Sequence, residues 1–567
     1  MMRPVLSCRP TLVSSSSSTG SRRCASHFPS TSSSSSSNSS PPSSLPSSTS
    51  SQPPPPPPPP STLYTPSPTP STSTSGENPT WSDPSYLARY RNPTSRLNHD
   101  VSHNFITSNG NGNGKAQRSR RNRIANDALW SGGEASPPIP LESHRSAAQQ
   151  SSSSASRPKH ALLFPGSGSQ YVGMGLFLKE KGKGKEVWSE AEDALSGFEE
   201  WRKGLRLDQL EGEVGELGKM LDQSERERRK EAKMQQIVFD GPQDELTRSS
   251  NAQPAILITS IAFLRTLQSQ LSSSSVVDSS SLVLGHSSGE YSAAVASGAI
   301  SFSDGVRLTR LHGLLTHYAL SLRSIGLSPE LDAPNDRRGQ MSALVLNPGR
   351  THAEVTEIVR KVRAKRSSSS RDGGNQEGTV EVASFNSSSQ VVLAGSRDGI
   401  LRASEWLKEE EIASRAADLP VSAPFHCSFM KPAAGGMHHA LTCGAIKLST
   451  PSVPLVSGFD ASLLTSPSTL VSNLVDQISL PVRWSTCINT LPTLHGIRRL
   501  VFLGPGQALA NLARRDHKLL KEARREATGQ NSKEEELETE VVSVATEKDM
   551  ERLVRIWNDE VKENARQ

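Results

Sequence analysis

The strongest constraint on the fold of this chain is the stretch at residues 282–298. Three apolar residues at 282–284 predict a short buried strand, which runs directly into Gly-His-Ser-Ser-Gly at 285–289. An alanine-rich segment follows and favours a helix packed closely against a sheet. Strand, G-x-S-x-G turn and helix together predict a nucleophile elbow that exposes Ser287 at the start of the helix. The same five letters also arise by chance in a serine-rich chain, but the flanking strand and helix argue against chance.

The elbow also predicts where negative charge would be stabilised. The amide of Ser288 and the N-terminus of the following helix face the oxygen of any carbonyl that Ser287 attacks. A glycine-bearing loop at 165–170 follows another apolar strand at 160–164. This loop lacks the Lys-Ser/Thr pair of a P-loop and the third glycine of a dinucleotide fingerprint. We therefore expect it to place backbone amides beside the elbow.

Residues 1–157 have the composition of a disordered leader. Serine and proline dominate, with eight consecutive prolines at 53–60, and few apolar runs could offset the entropy of ordering. The first 28 residues hold four arginines among serines, and no acidic residue occurs before Glu77. That composition predicts a mitochondrial transit peptide and a location in the matrix. A disordered extension without targeting information is the alternative.

Charge and cysteine content exclude several classes of function. The net charge is +6, but residues 1–157 carry 14 basic and 6 acidic residues (+8), and the remainder carries 49 and 51 (−2). Global basicity is therefore no argument for nucleic acid binding. Only three of the five cysteines lie beyond the leader, without a C-x-x-C pair, which argues against a disulfide scaffold or a thiolate metal site. No apolar run approaches the roughly 20 residues of a membrane span.

The order of apolar and polar segments predicts an α/β chain with two domains. Residues 158–326 and 419–520 form the two parts of a large domain, and 340–418 form a small one. Within the small domain, strand, helix, strand, strand and helix follow one another, which suggests an inserted α+β unit of ferredoxin-like type. Residues 521–567 are predicted to be a charged C-terminal tail, and residues 179–235 a charged surface insertion without chemistry.

A serine nucleophile needs a base, and His426 is the best candidate among fourteen histidines. Four histidines lie in the leader. His438 and His439 lie in a glycine-rich helical segment, and His286 is held inside the elbow, where it points away from Ser287. His426 lies in a proline-bounded segment at 419–432, although spacing alone does not single it out.

Six motifs occur in an order that is typical of one family. They are F-P-G-x-G-S-Q at 164–170, Q-P-A at 253–255, G-H-S-x-G-E at 285–290, V-S-A-P-F-H-C at 421–427 with M-K-P at 430–432, Gln477 with P-V-x-W at 481–484, and G-P-G at 504–506. Over about residues 160–515 the chain resembles malonyl-CoA:acyl carrier protein transacylases, and with its leader the fungal mitochondrial type. The resemblance implies an α/β-hydrolase-like large domain with an inserted ferredoxin-like small domain, behind a disordered leader.

The resemblance implies transfer of a malonyl group from coenzyme A to the pantetheine thiol of acyl carrier protein, through an acyl-serine. Ser287 matches the nucleophile, His426 the base, and Gln477 the residue whose main-chain carbonyl orients that base. The partners implied are malonyl-CoA and acyl carrier protein, with no metal, no nucleic acid, no membrane and no cofactor beyond the coenzyme A thioester and the carrier's pantetheine. We expect a monomer.

The resemblance also assigns further contacts. The amides of Ser288 and Ser167 match the oxyanion hole, and Gln253, Asn386 and His312 match substrate-binding positions. Ser167 stands where the family has glutamine and Ser288 where it has leucine. Because the family uses the backbone N–H at both positions, we expect these differences to be tolerated.

His312 is the departure with the largest consequence. The family has an arginine twenty-five residues after the serine, where it pairs with the malonyl carboxylate. Arg307 and Arg310 lie on other helical faces and do not simply substitute. His312 could hold the carboxylate as an imidazolium, less securely than arginine. Alternatively, the pocket accepts acetyl or another short acyl group. We favour malonyl.

Two other functions compete with acyl transfer. A serine esterase or thioesterase shares G-x-S-x-G, but it usually has an acidic residue between serine and histidine, and no motif presents one here. A non-catalytic subunit that binds acyl carrier protein would not need Ser287, His426 and Gln477. An acidic carrier would dock on a basic cluster, for which the candidates are Lys431, Arg498, Arg499, Arg514 and Arg515.

Overall fold

The computed structural model describes residues 159–566, apart from 181, 229–232, 272–275, 329–338, 370–377 and 529–538. The predicted leader at residues 1–157 lies outside the described residues.

A six-stranded sheet forms the centre of the large domain. Its strand order is β10-β9-β1-β2-β7-β8, and all neighbouring strands are parallel except β7 and β8. The strands are β1 (His160–Phe164), β2 (Leu282–Gly285), β7 (Leu455–Val456), β8 (Leu463–Leu464), β9 (Arg499–Leu503) and β10 (Glu540–Val544). Since β1 and β2 are parallel neighbours, the loops that follow them meet at the same edge of the sheet.

Side chains of β1 alternate between two cores, one on each face of the sheet. Leu162 and Phe164 belong to the larger cluster, and Ala161 and Leu163 to a second cluster that includes Trp484. All five residues of β1 are buried, as expected of a central parallel strand with helices on both faces.

Fifteen α-helices are found among the described residues. They are Gly182–Ser196, Phe198–Gly204, Gly212–Arg228, Met234–Asp240, Gln243–Thr247, Ser249–Gln270, Gly289–Ala296, Phe302–Ala319, His352–Ser369, Arg397–Glu409, Lys431–Thr442, Pro467–Ser479, Trp484–Leu494, Ala508–Thr528 and Glu547–Arg566. Short 3-10 turns lie at Leu176–Leu178, Leu207–Gln209 and Ser428–Met430. Within this part of the chain, no helix combines the length and apolar character that a bilayer crossing requires.

A second sheet of four antiparallel strands forms the small domain, with strand order β4-β5-β3-β6. Its strands are β3 (Gly339–Leu346), β4 (Val380–Ser387), β5 (Gln390–Ser396) and β6 (Ala413–Asp418). Helix His352–Ser369 lies between β3 and β4 in the chain, and helix Arg397–Glu409 lies between β5 and β6. A single parallel bridge between Ser384 and Val482 connects this unit with the segment that precedes helix Trp484–Leu494.

The prediction of a charged C-terminal tail at 521–567 is wrong for residues 540–566. β10 extends the central sheet as a parallel neighbour of β9, and helix Glu547–Arg566 buries Met550, Leu553 and Trp557. Buried Arg499 donates to Glu540 and Glu560 at 2.6 Å each, which ties both elements to β9. This segment is therefore part of the large domain.

The prediction of a surface insertion at 179–235 is also wrong in part. Helices Gly182–Ser196 and Gly212–Arg228 are amphipathic, and their apolar faces bury Trp188, Leu217 and Leu221 in the main core. The many charged residues on the outer faces of these helices made the segment resemble a surface insertion in the sequence, although each helix also carries a buried apolar face.

Candidate active site

Ser287 stands on a tight turn between β2 and the elbow helix, Gly289–Ala296. Its φ is +55°, in the left-handed region that a serine rarely adopts, so the backbone here is strained. The turn requires glycine at 289, because a Cβ there would lie 2.4 Å from the Phe164 carbonyl oxygen. Close approach of the two strand ends thus forces the G-x-S-x-G spacing.

His426 lies directly against Ser287, as predicted, although 139 positions separate them in the chain. Nε2 of His426 is 2.7 Å from Ser287 Oγ. Nδ1 is 2.6 Å from the main-chain oxygen of Gln477. A carbonyl can only accept, so Nδ1 carries the proton and Nε2 is free to act as a base. The three residues predicted for nucleophile, base and orienting carbonyl are therefore brought together.

Burial keeps the His426 ring neutral. Loss of solvent is the main cause that lowers its pKa, to about 4, against the opposing hydrogen bond to Gln477 and with a smaller lowering contribution from His286. His286 itself points away from Ser287: its Nε2 is 2.9 Å from Asn386 Oδ1, and its ring meets the Trp484 ring edge-on. The prediction that His286 is held inside the elbow is confirmed.

The two residues predicted to form the oxyanion hole are in contact, through a side-chain hydroxyl to which the sequence assigns no role. The amide of Ser167 donates to Ser288 Oγ at 3.1 Å, and the two hydroxyl oxygens are 3.3 Å apart. The loop reaches the elbow because Gly166 has no side chain: a Cβ there would lie 2.1 Å from the His286 carbonyl oxygen. The Ser288 hydroxyl therefore accepts the hydrogen bond that the Ser167 amide is predicted to donate to an oxyanion.

Glu290 is part of the site, although no pattern in the sequence assigns it a role. Its side chain, on the elbow helix three residues after Ser287 in the chain, is fully buried. Oε2 accepts from Asn473 Nδ2 and from Gln477 Nε2 at 2.7 Å each, and Oε1 accepts from the Gly458 amide. The only sequence signal for a role of Glu290 is its position directly after the G-x-S-x-G motif. Its partners Asn473 and Gly458 lie in no recognisable motif.

The predicted substrate-binding side chains His312 and Gln253 are buried with unsatisfied polar atoms. Among the described residues, neither ring nitrogen of His312 has a hydrogen-bond partner, and no donor contacts Gln253 Oε1. The two lie on helices Phe302–Ala319 and Ser249–Gln270, which pack against each other. Burial, with a smaller contribution from His426, lowers the pKa of His312 to about 3, so its ring is neutral without a ligand.

The two arginines near His312 face elsewhere, as predicted. Arg310 donates to the Ser250 carbonyl at 2.9 Å and to Asn251 Oδ1. Arg307 lies against Asp304 and the Ala194 carbonyl. Neither arginine forms a hydrogen bond with the His312 ring.

Asn386 makes contacts within the protein. Its Oδ1 lies against His286 and accepts from Ser384 Oγ, while Nδ2 donates to Gln390 Oε1 at 3.1 Å. Its predicted contact with substrate stays a prediction.

The prediction that Arg499 helps to dock an acidic carrier is wrong, because its guanidinium is buried against two glutamates. Arg514 and Arg515 are exposed, Arg498 and Lys431 are half-buried, and their role in docking stays a prediction. No group of three or more histidine, cysteine, aspartate or glutamate side chains placed to hold a metal ion occurs in the described ranges.

Comparisons with known proteins agree with this geometry. The acyl transferase domain family matches residues 161–324. The chain is 31% identical over 365 residues to the malonyl CoA-acyl carrier protein transacylase of Bacillus subtilis (strain 168), covering 64% of this chain and 92% of the relative. It is 31% identical over 359 residues to the enzyme of the same name from Escherichia coli (strain K12), covering 63% and 92%.

Solved structures show the same similarity. The acyl-carrier-protein-S-malonyltransferase of Bartonella henselae superposes with a TM-score of 0.52 at 29% identity, covering 70% of this chain and 99% of that chain. A malonyl-transacylase in complex with its type II PKS acyl-carrier protein superposes with a TM-score of 0.51 at 25% identity, with the same coverage.

Proposed function

This chain belongs to the malonyl CoA-acyl carrier protein transacylase family, and we propose that Ser287 is the group that carries the malonyl unit between the two thiols. The protein transfers a malonyl group from coenzyme A to acyl carrier protein. The observation that carries the residue assignment is the continuous contact from Ser287 Oγ to His426 and on to the Gln477 carbonyl.

In the first half-reaction, Ser287 Oγ attacks the thioester carbonyl while His426 Nε2 accepts the serine proton. The amides of Ser288 and Ser167 hold the resulting oxyanion. The carbon–sulfur bond then breaks, and the proton on His426 passes to the sulfur of coenzyme A, which leaves as a thiol. The malonyl group remains on Ser287 as an ester.

In the second half-reaction, the pantetheine thiol of the carrier gives its proton to His426, and its sulfur attacks the ester carbonyl. The ester bond to Ser287 breaks, and Oγ takes the proton back from His426. The malonyl group leaves as a thioester of the carrier, and the free enzyme is restored. We propose that this product supplies fatty acid synthesis.

We infer that His312 and Gln253 line the pocket for the acyl group. Both are buried polar side chains with unsatisfied atoms, which a polar acyl group would satisfy. A malonyl carboxylate beside His312 would oppose the effect of burial and favour the protonated ring. A neutral acetyl group would not, so the histidine supports a malonyl preference weaker than an arginine would give.

Intact-protein mass spectrometry after incubation with malonyl-CoA tests the function. We expect a gain of one malonyl group, on the peptide that contains Ser287, and its loss when acyl carrier protein is added. Ser287→Ala should lower acyl-enzyme formation by at least about 1,000-fold, because the residual binding groups cannot replace the nucleophile. A malonylated Ser287→Ala protein would reject the assignment, and hydrolysis that is indifferent to the carrier would favour a thioesterase.

We propose that residues 1–28 direct the protein to the mitochondrial matrix, as in fungal members of mitochondrial type. Four arginines and the lack of acidic residues before Glu77 support this. Protease protection of the full chain in isolated mitochondria, lost when residues 1–28 are deleted, is the expected result. Unchanged localisation of the protein that lacks residues 1–28 would contradict it.

We also assign the small domain to the ferredoxin-like type, which its β-α-β-β-α-β order supports.

A further inference from the structure

The buried carboxylate of Glu290 joins the two halves of the active site. Glu290 lies on the elbow helix three residues after Ser287, and its partners lie far away in the chain, at Gly458 and on helix Pro467–Ser479. Asn473 and Gln477 are four residues apart on that helix, so their amides lie on the same face and both reach Oε2. Among the described residues, no lysine, arginine or histidine pairs with this carboxylate.

Gln477 is held at both ends. Its side-chain amide donates to Glu290, while its main-chain carbonyl accepts from His426 Nδ1 at 2.6 Å. The next carbonyl, that of Ile478, accepts from the His426 amide at 3.2 Å. The contacts thus form a closed circuit from Ser287 through His426 and Gln477 to Glu290, and along the backbone back to Ser287.

The Gln477 carbonyl lies in the last turn of its helix, where carbonyls have no partner within the helix. Its position therefore depends on what holds the helix end in place. Asn473, one turn earlier, anchors the helix to the same carboxylate oxygen but does not touch the base. Only the Gln477 contact joins the carboxylate to the residue that orients His426.

We propose that Glu290 is a positioning residue, which sets the Gln477 carbonyl, and through it the His426 ring, at the distance from Ser287 that proton transfer requires. The role rests on the proposed function, because it assumes that His426 activates Ser287. Proton transfer is steep in distance, and a misplacement of about 1 Å costs about 100-fold in rate. Burial raises the pKa of Glu290 to about 8, while the hydrogen bonds donated by Gly458 and Asn473 lower it and favour the carboxylate form.

Three variants separate positioning from plain structural support. Gln477→Ala keeps the main-chain carbonyl but removes the contact with Glu290. Asn473→Ala removes a hydrogen bond of equal length to the same oxygen without touching the residue that orients the base. Glu290→Gln keeps the shape but places an amide donor against donors. Each is measured for Tm, for kcat and KM with malonyl-CoA, and for the rate at which a fluorophosphonate probe labels Ser287.

We expect Gln477→Ala and Glu290→Gln to lower kcat and the labelling rate by about 10- to 100-fold, with KM within about twofold. Asn473→Ala also loses the hydrogen bond from Ser457, so it should lower Tm by at least as much while kcat stays within about threefold of the parent. Equal kcat losses in Gln477→Ala and Asn473→Ala, or losses that merely follow Tm, would overturn the proposal. Gln477→Ala decides the matter if Glu290→Gln does not fold.

The fluorophosphonate arm separates this inference from the function on which it rests. The probe reports an activated serine whatever the natural acyl donor is. Rapid labelling of the parent without malonyl transfer would reject the proposed function and leave the variants informative. Slow labelling of the parent, equal to that of Gln477→Ala, would reject the positioning role.

Discussion

The two sides of Ser287 differ in how far their polar groups are satisfied. On the side of the base, His426, Gln477 and Glu290 form continuous hydrogen bonds and need no ligand to complete them. On the side proposed to bind the acyl group, within the described part of the chain, the ring nitrogens of His312 and the side-chain oxygen of Gln253 are buried without hydrogen-bond partners. An unsatisfied buried polar group destabilises the fold by about 1–3 kcal/mol, so a ligand that supplies a polar partner on this side stabilises the complex.

The contrast shows how one pocket can be both ready for chemistry and selective. The base side is preorganised, so the proton acceptor is in place before substrate arrives. The acyl side leaves the recognition contacts to be made by the ligand. Changes on the base side should therefore act on the rate of acylation, and changes on the acyl side on which acyl group is accepted.

Removal of the base should have the largest effect. Without His426 the Ser287 hydroxyl has no proton acceptor, so His426→Ala should lower the rate of malonylation by about 1,000-fold or more. Rapid-quench mass spectrometry measures this rate. His439→Ala is a matched control, since that ring contacts the Leu205 carbonyl and not Ser287, and its rate should stay within twofold of the parent. A loss of less than tenfold in His426→Ala would show that the base side is not organised around this ring.

A cation on the acyl side should sharpen the comparison. His312→Arg restores a permanent positive charge, and a charge-assisted hydrogen bond contributes about 1.5–3 kcal/mol, or roughly 10- to 100-fold in kcat/KM for malonyl-CoA. The use of acetyl-CoA should not rise. His312→Asn should move the preference towards acetyl. Steady-state rates with both donors measure the ratio, and an unchanged ratio in both variants would remove His312 from the acyl pocket.

Acid should destabilise the folded protein through the same buried histidines. The unfolded chain takes up protons as pH falls through about 6.5, while His426 and His312 stay neutral in the fold until about pH 4 and 3. These two histidines therefore remove stability as pH falls, by about 2 kcal/mol each between pH 7 and 5. Glu290 and Asp476, whose pKa values burial raises to about 8 and about 7, act in the opposite direction, so the comparison with a His312 variant isolates the histidine contribution. Urea unfolding at both pH values should show a loss smaller by about that amount in His312→Asn. An equal loss in both proteins would mean that His312 titrates normally.

The smallest effect should come from Ser288. Its hydroxyl accepts from the Ser167 amide, a position that a substrate oxyanion must take over. Ser288→Ala frees that amide, and we expect malonylation to quicken by no more than about fivefold, the worth of one ordinary hydrogen bond. Ser167→Ala keeps the amide and serves as the control. A fall in rate in Ser288→Ala would instead make its hydroxyl a third donor to the oxyanion.

Local patterns predicted the elbow well, because strand, turn and helix are adjacent there and the glycine spacing is dictated by backbone contact. The predicted strand at 160–164 and the elbow strand at 282–284 match β1 and β2, with β2 extending to Gly285. His426 was only the best of several histidines by position. Its selection needed the resemblance, since no local pattern reports a contact across 139 residues.

The network around Glu290 and the C-terminal strand were not predicted, for different reasons. Asn473 and Gly458 acquire a role only when three distant segments meet at one carboxylate. β10 is short and follows a charged stretch, so its apolar residues did not suggest a sheet strand. The helix after it did carry a readable pattern, with Met550, Leu553 and Trp557 on one buried face.

The connection between β9 and β10 has a consequence for synthesis of the chain. β9 ends at Leu503 and its outer neighbour β10 begins at Glu540, so the ribosome must add the intervening residues before that edge can be paired. During this interval β9 offers unpaired backbone groups to any other strand nearby, the condition that promotes aggregation of nascent chains. Over the same period the Arg499 side chain on β9 also lacks both of its carboxylate partners, Glu540 and Glu560, because they are added later.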